Sequence, residues 1–399
     1  MKKSISIAIL LLIMIFSVGC WNQRELNDLA IAMAVGFDDV NDNEIELSIQ
    51  VVQPEEITDP SYFTPVTVYS EIAPTIFEGF RKMTTESPRK IYLPHFRIAV
   101  ISEQLARKGI NDILDMLIRD HELRSDFYIL IARDGYTAKD IISIMTKLER
   151  IPANKIFSSL KVSDAAWAPT TAVLLDELLI GLATDGQEVA LTGITIAGGE
   201  KEKAKTKKNV ERMDRIATIS TKGISVFKDD KLVGWLNEDE SKGYSYIMDE
   251  VQSTIGRINC PNGGELVVEI MSAEADKTAN IKNGKPQIEI SITLNVNIGE
   301  VACIIDLTDE ETIQQLEKNM EEQLEKIVKS TVHAAQHKFN SDFLGFGNLI
   351  YKNQPKQWEK LKDNWDEEFP KLSVKYNMKG TINLTGTMEQ SFFNKIKEE

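Results

Sequence analysis

The sequence predicts an α+β, mixed α/β protein: two to three sheet-and-helix domains in series, with a C-terminal domain whose long amphipathic helix packs on an antiparallel sheet. Strand-like and helix-like segments are interleaved through the first half of the 399-residue chain, as layered folds require. A charged run from Glu200 to Lys208 breaks that alternation. Beyond it lie long stretches of period-two patterning and one apolar stripe at helical spacing.

Residues 1–19 are read as a signal peptide outside the fold. Lys2 and Lys3 form a positive n-region, Ile5 to Phe16 an apolar h-region, and Ser17-Val18-Gly19-Cys20 a small-residue box ending in a thiol. The apolar run is short for the ~20 residues of a membrane-spanning helix. Ordinary cleavage and an uncleaved anchor are the competing readings. Cleavage before Cys20 would leave a diacylglycerol on that thiol and no other cofactor. Each buried methylene contributes about 0.8 kcal/mol, so two chains hold stably.

The first domain is expected over 20–198. Glu44 to Val52 alternates as a strand, and Thr75 to Ser87 reads as a helix that stops before Pro88. Ile91 to Ser102 is a strand region interrupted by Pro94, followed by one amphipathic helix from Glu103 to Arg119. Phe127 to Ala132 reads as a buried strand, Ala138 to Leu148 and Thr171 to Ala183 as helices, and Ala190 to Ala197 as a strand. Residues 199–215 are expected as a solvated, charged linker.

A small β-rich middle domain is expected over 216–262, where Gly223–Phe227 and Lys231–Trp235 flank the turn residues Asp229 and Asp230. The C-terminal domain is expected over 263–399. Glu265 to Ala275 and Gln287 to Glu300 alternate as strands around an Asn283-Gly284 turn. The long helix is expected over Asp309 to Phe339, with Thr308 and Glu311 as a capping box and Leu316, Met320 and Leu324 in its stripe. Strands at Leu372–Met378 and Thr381–Met388 would support it.

The formal charge of -15 becomes -17 once Lys2 and Lys3 are removed, which argues against nucleic acid and against electrostatic adhesion to anionic lipid, leaving attachment to the acyl anchor. Cys260 and Cys303 are expected as buried free thiols, with a disulfide as the alternative. His333 and His337 lie one turn apart, but Ala334 stands where a zinc protease needs its general-base Glu, so no metal site is expected. His95 and His121 lie near no nucleophile motif, and no catalytic constellation is found. Trp358 and Trp365, seven apart, read as core. The block Ser87 to Arg97 mixes prolines, cations and aromatics, and reads either as a self-packed loop with Arg97 paired to a carboxylate or as a contact surface.

The run Gly19-Cys20-Trp21-Asn22-Gln23-Arg24-Glu25-Leu26 resembles the start of the Ger(x)C family, the lipoprotein C subunits of bacterial spore germinant receptors. The resemblance continues through Glu86–Lys90, Leu93–Arg97, Arg119–Arg124, Gly223–Lys228, Lys231–Leu236 and Ser341–Gly347 to Trp358, in family order over the mature chain. Ser17, Asn22 and Phe343 depart from the common pattern. The resemblance implies α/β domains in series and no enzymatic activity. It further implies lipid anchoring at Cys20 on the outer face of the cell membrane, the inner membrane in a dormant spore. The implied partners are an A-type and a B-type integral membrane subunit, in a receptor that responds to nutrients. Candidate partner contacts are Arg89, His95 and Arg97 in the first domain, and Asp342 and Phe346 in the turn running to Gly347. A lipid-anchored protein that captures a nutrient for a transporter is the alternative, and a cell-wall enzyme the weakest class.

Overall fold

The run Leu29-Ala30-Ile31-Ala32-Met33-Ala34-Val35 has no polar face, so it suits a strand covered on both sides. In the computed structural model, which describes residues 28–53, 64–167, 169–282 and 285–384, this run is β1 (Leu29–Asn41) at the centre of the first sheet. β2 (Glu44–Val52) returns antiparallel to it, and β3 (Val66–Ala73) lies outside β2. Thr75 caps α1 (Ile76–Lys82) by accepting the Glu78 amide at 3.2 Å. β4 (Lys90–Tyr92) and β5 (Ile98–Ser102) both run parallel to β1.

The single helix expected over 103–119 is two, α2 (Glu103–Lys108) and α3 (Asn111–Arg119). Gly109 breaks it at φ 137°, a conformation that side chains avoid, and a Cβ there would sit 2.4 Å from the Asp230 carboxylate. β6 (Tyr128–Ala132) follows, then α4 (Ala138–Ser143), α5 (Pro152–Trp167) and α6 (Leu175–Ala183). β7 (Ala190–Gly198) leads through the short α7 (Lys201–Ala204) to the hairpin β8 (Ala217–Lys228) and β9 (Lys231–Trp235). The sheet order is β3-β2-β1-β5-β6-β7-β8-β9, with β4 also beside β1. On one face α1, α2, α3 and α6 bury Ile76, Leu105, Leu114 and Leu178, and on the other α4 and α5 bury Ile141, Ile156 and Leu160.

Two expectations change here. The 199–215 segment, though mostly exposed, is fastened to the sheet rather than left as a free linker. Buried Asn209 donates to the Met145 and Ala217 carbonyls and accepts the Ile216 and Ala217 amides, while Lys201 and Lys205 reach Asp140 at 2.6 and 2.8 Å. Burial alone would raise the Asp140 carboxyl, but the two ammonium groups and the Thr137 amide hold it at about 2. Residues 216–262 are shared between sheets: β8 and β9 complete the first, and β10 (Thr254–Asn259) opens the second, reached through α8 (Glu238–Ile247).

The second sheet has the order β10-β11-β12-β13, with β11 (Glu265–Lys282), β12 (Lys285–Val301) and β13 (Ser373–Leu384). It is mixed rather than wholly antiparallel, because β13 runs parallel to β12 after a helical crossover. That crossover contains α9 (Glu310–His333), whose buried Leu316, Met320, Leu324 and Val328 give the expected stripe. Its cap is Asp309, accepting the Thr312 amide at 3.1 Å, because Thr308 turns back to Asp306. A π-helical turn, Ala334–Phe339, ends at Asn340, followed by α10 (Phe346–Asn353), α11 (Pro355–Leu361) and α12 (Trp365–Glu368). The two strands expected at Leu372–Met378 and Thr381–Met388 are one, β13, as far as Leu384; residues 385–388 and the Asn283-Gly284 turn lie outside the described residues.

Cys260 and Cys303 are joined by a disulfide, correcting the free-thiol expectation. The register explains it: Asn259 faces Glu265 and Leu266 faces Val301, so the ends of β10 and β12 flank the start of β11 and place the two cysteines side by side.

Candidate functional site

Arg89, His95 and Arg97 lie along the edge where the parallel strands begin. Leu29 pairs with Lys90 and Ile31 with Tyr92, so the chain passes from β4 to β5 along the flank of β1. Leu93 and Phe96 point inward, with Phe96 packed on Phe127 at 4.1 Å between ring centroids, and this leaves His95 and Arg97 exposed. The backbone of Arg97 bridges two strands, its amide donating to Met33 and its carbonyl accepting from Tyr128, both at 3.0 Å. Ser87, buried, donates to the Arg89 carbonyl at 2.7 Å and shapes the turn before β4.

The Arg97 guanidinium lies 4.9 Å from the Phe157 ring, and the Lys161 ammonium lies 4.6 Å from the same ring. Arg97 therefore rests on an aromatic ring of α5 rather than pairing with a carboxylate. Lys90 pairs with Glu122 at 2.7 Å, which brings the Glu86–Lys90 and Arg119–Arg124 blocks together on this edge. The His95 ring sits edge-on to Tyr92 at 5.6 Å.

Asp342 and Phe346 lie elsewhere, only 3% and 0% exposed, so neither offers a surface. The Asp342 carboxylate accepts the Phe346 and Gly347 amides at 2.9 and 2.7 Å and the Trp365 indole N–H at 3.1 Å. Burial pushes this carboxyl up to about 7 against the pull of those donors. Backbone bonds from Glu188 to the Asp342 carbonyl (3.0 Å) and from Asn348 to the Gly186 carbonyl (2.9 Å) fasten the turn to the start of β7. Ser341 donates to the Phe227 carbonyl on β8. A Cβ on Gly347 would meet the Gly186 Cα at 2.7 Å, so the chains touch backbone to backbone. Asp342 and Phe346 thus join the two sheets from within. The buried Trp358 packs edge-on to Trp365 at 5.2 Å in the same core.

Phe157, Lys161 and Gly186 were not singled out from the sequence. The first two lie on α5, whose sparse apolar positions gave no helical signal. Gly186 gave no cue beyond its Asp185-Gly186 turn pair. Cys20 lies outside the described residues. His333 and His337 are both exposed and stack edge to face at 4.9 Å. Among the described residues, no group of three His, Cys, Asp or Glu side chains is placed to hold a metal, and no helix is long and apolar enough to cross a membrane.

The fold and this edge define a class: a tandem two-sheet α/β module whose candidate site is an open surface. The chain belongs to the spore germination GerAC family. Residues 22–196 match the family model described as the spore germination protein N-terminal domain, and residues 222–386 match the spore germination B3/GerAC-like C-terminal model. It is 30% identical to spore germination protein KC of Bacillus subtilis (strain 168), over 100% of both chains. It is 24% identical to spore germination protein B3 of the same organism, over 97% of this chain and 100% of that one. The crystal structure of the GerBC protein shares the fold with a TM-score of 0.53 at 21% identity, covering 87% of this chain and 96% of that one.

Proposed function

We propose that this chain is the lipid-anchored C subunit of a nutrient germinant receptor, held by a diacylated Cys20 on the outer face of the membrane, the inner membrane in the dormant spore. It is not an enzyme. It works by assembling with the A-type and B-type integral membrane subunits and supporting their state. The observation that carries the reading is the 30% identity to spore germination protein KC along the whole length of both chains. The gathering of three family-like blocks, Glu86–Lys90, Leu93–Arg97 and Arg119–Arg124, onto one edge supports an external contact there.

A pull-down from spore membranes, comparing wild type with Cys20→Ala, tests this reading. Wild type should bring down both membrane subunits, and Cys20→Ala should lose membrane retention and germination. Wild type coming down alone would refute the assembly. Cys20→Ala remaining in the membrane and germinating normally would refute the anchor.

One observation favours nutrient capture as a second reading. A cleft of ≈ 690 Å³ between α1 and α3 is lined by Phe77, Phe80, Ile113 and Met116 and rimmed by Arg119 and His121, a size and lining that suit a small ligand. Titrating the purified chain with amino acids and sugars separates the two, since tight binding to the isolated chain favours capture.

A further inference from the structure

The edge that carries Arg97 is also the edge from which the chain leaves toward Cys20. Leu29 opens β1 nine residues after Cys20, a reach of at most about 30 Å when extended. Lys90 is in register with Leu29, and Arg97 is bonded to Met33, about 13 Å further along the strand. A leash of that length keeps the chain near the bilayer but leaves its orientation open.

Charge is distributed unevenly with respect to this exit. Residues 86–97 and 119–126 with Lys161 hold six cations (Arg89, Lys90, Arg97, Arg119, Arg124, Lys161) against Glu86, Asp120, Glu122 and Asp126, in a chain of formal charge -15. Lys90, Arg119 and Arg124 are matched by Glu122, Asp115 and Asp126. Arg97 and Lys161 have no carboxylate partner among the described residues, and both rest on the exposed side of one half-buried ring, Phe157. Two like charges held to a single ring, with no counter-charge among the described residues, are prepared for an external anion. A guanidinium suits a phosphodiester, which it can bind through two N–H donors.

We propose that the Arg97–Phe157–Lys161 cluster is a second, electrostatic membrane contact that binds anionic phospholipid headgroups and turns this edge toward the bilayer, while the acidic remainder is repelled. The proposal rests on the lipoprotein reading for its geometry, and it assigns orientation to the cluster and retention to the acyl chains. Each cation brought to an anionic surface is worth about fivefold in partition, and the attraction fades beyond a Debye length of about 8 Å.

The test uses the purified mature chain from residue 20, carrying Cys20→Ala, so that neither lipid nor the apolar signal peptide masks the contact. It should co-sediment with phosphatidylglycerol-rich vesicles at low salt, dissociate as salt rises, and ignore pure phosphatidylcholine vesicles. Arg97→Glu/Lys161→Glu should lower partition at least about tenfold, and Arg97→Gln/Lys161→Gln by less. The matched control Lys318→Glu/Lys326→Glu alters exposed residues of α9 by the same net charge and should leave binding within about twofold. Equal losses in both charge-reversed pairs, or no preference for anionic vesicles, would overturn the proposal. So would a charge-reversed cluster that keeps vesicle binding but loses the membrane subunits in the pull-down, since the edge would then be a protein interface. Failure here leaves the retention of the lipidated wild type untouched, so the two readings fall separately.

Discussion

Two short blocks, Leu93–Arg97 and Ser341–Gly347, have opposite places in the molecule. Each mixes aromatics with charge, and each reads from sequence as a contact surface. Leu93–Arg97 turns Leu93 and Phe96 inward and His95 and Arg97 out, because its backbone bonds are met by the neighbouring strands and its side chains owe nothing to the main chain. Ser341–Gly347 opens a helix whose first amides need an acceptor, and Asp342 supplies it along with a bond to the Trp365 indole. A charged side chain beside aromatics is available to a partner only when nearby backbone donors do not already claim it.

The comparison can be broken most forcefully at Gly347. Placing a methyl 2.7 Å from the Gly186 Cα and 2.8 Å from its carbonyl oxygen forces the sheets apart, so Gly347→Ala should cost about 3 kcal/mol or more in denaturant unfolding. Next, Asp342→Ala strands two amides and an indole N–H and should cost about 2 kcal/mol.

Asp342→Asn sharpens the point through pH. The folded carboxyl titrates at about 7 and the unfolded one near 4, so between those values the folded state holds the proton longer. Stability therefore falls as pH rises through that window and levels off above it. Glu188, also lifted by burial to about 7, and Asp38, to about 6, act with the same sign. Asp342→Asn should flatten the pH dependence of Tm between 4 and 7 without abolishing it, and an unchanged slope would contradict the assignment.

Effects at the edge should be small in stability. The half-exposed Lys90–Glu122 pair should show a coupling of about 0.2–1 kcal/mol in a double-mutant cycle. Arg97→Gln should stay within about 0.5 kcal/mol of wild type while slowing germination, which spore assays would read directly.

Much of this fold was legible because its strands and helices announce themselves by period. Glu44–Val52 and the α9 stripe appear where the patterning places them. What was missed had weak or ambiguous local signals. β1 is apolar on both faces and so shows no alternation, while α5 buries few large residues among serines and lysines. The fastening of the charged 199–215 segment was hidden because sequence cannot show that Asp140, far along the chain, is buried and paired with Lys201 and Lys205. Of the candidate contacts, His95 and Arg97 are exposed and Arg89 half-buried, placements that the mixture of prolines, cations and aromatics in Ser87–Arg97 does not specify. The burial of Asp342 and Phe346 depended on a close approach of Gly347 to Gly186, which no local pattern encodes.

The most direct test is amide hydrogen exchange on the chain alone and on the receptor assembled in membranes. Exchange in residues 86–97 and 119–124 should slow on assembly, while residues 341–347, already enclosed, should not change. Protection at 341–347 with none at the edge would contradict the account, for the junction between the sheets would then be the surface that the receptor uses.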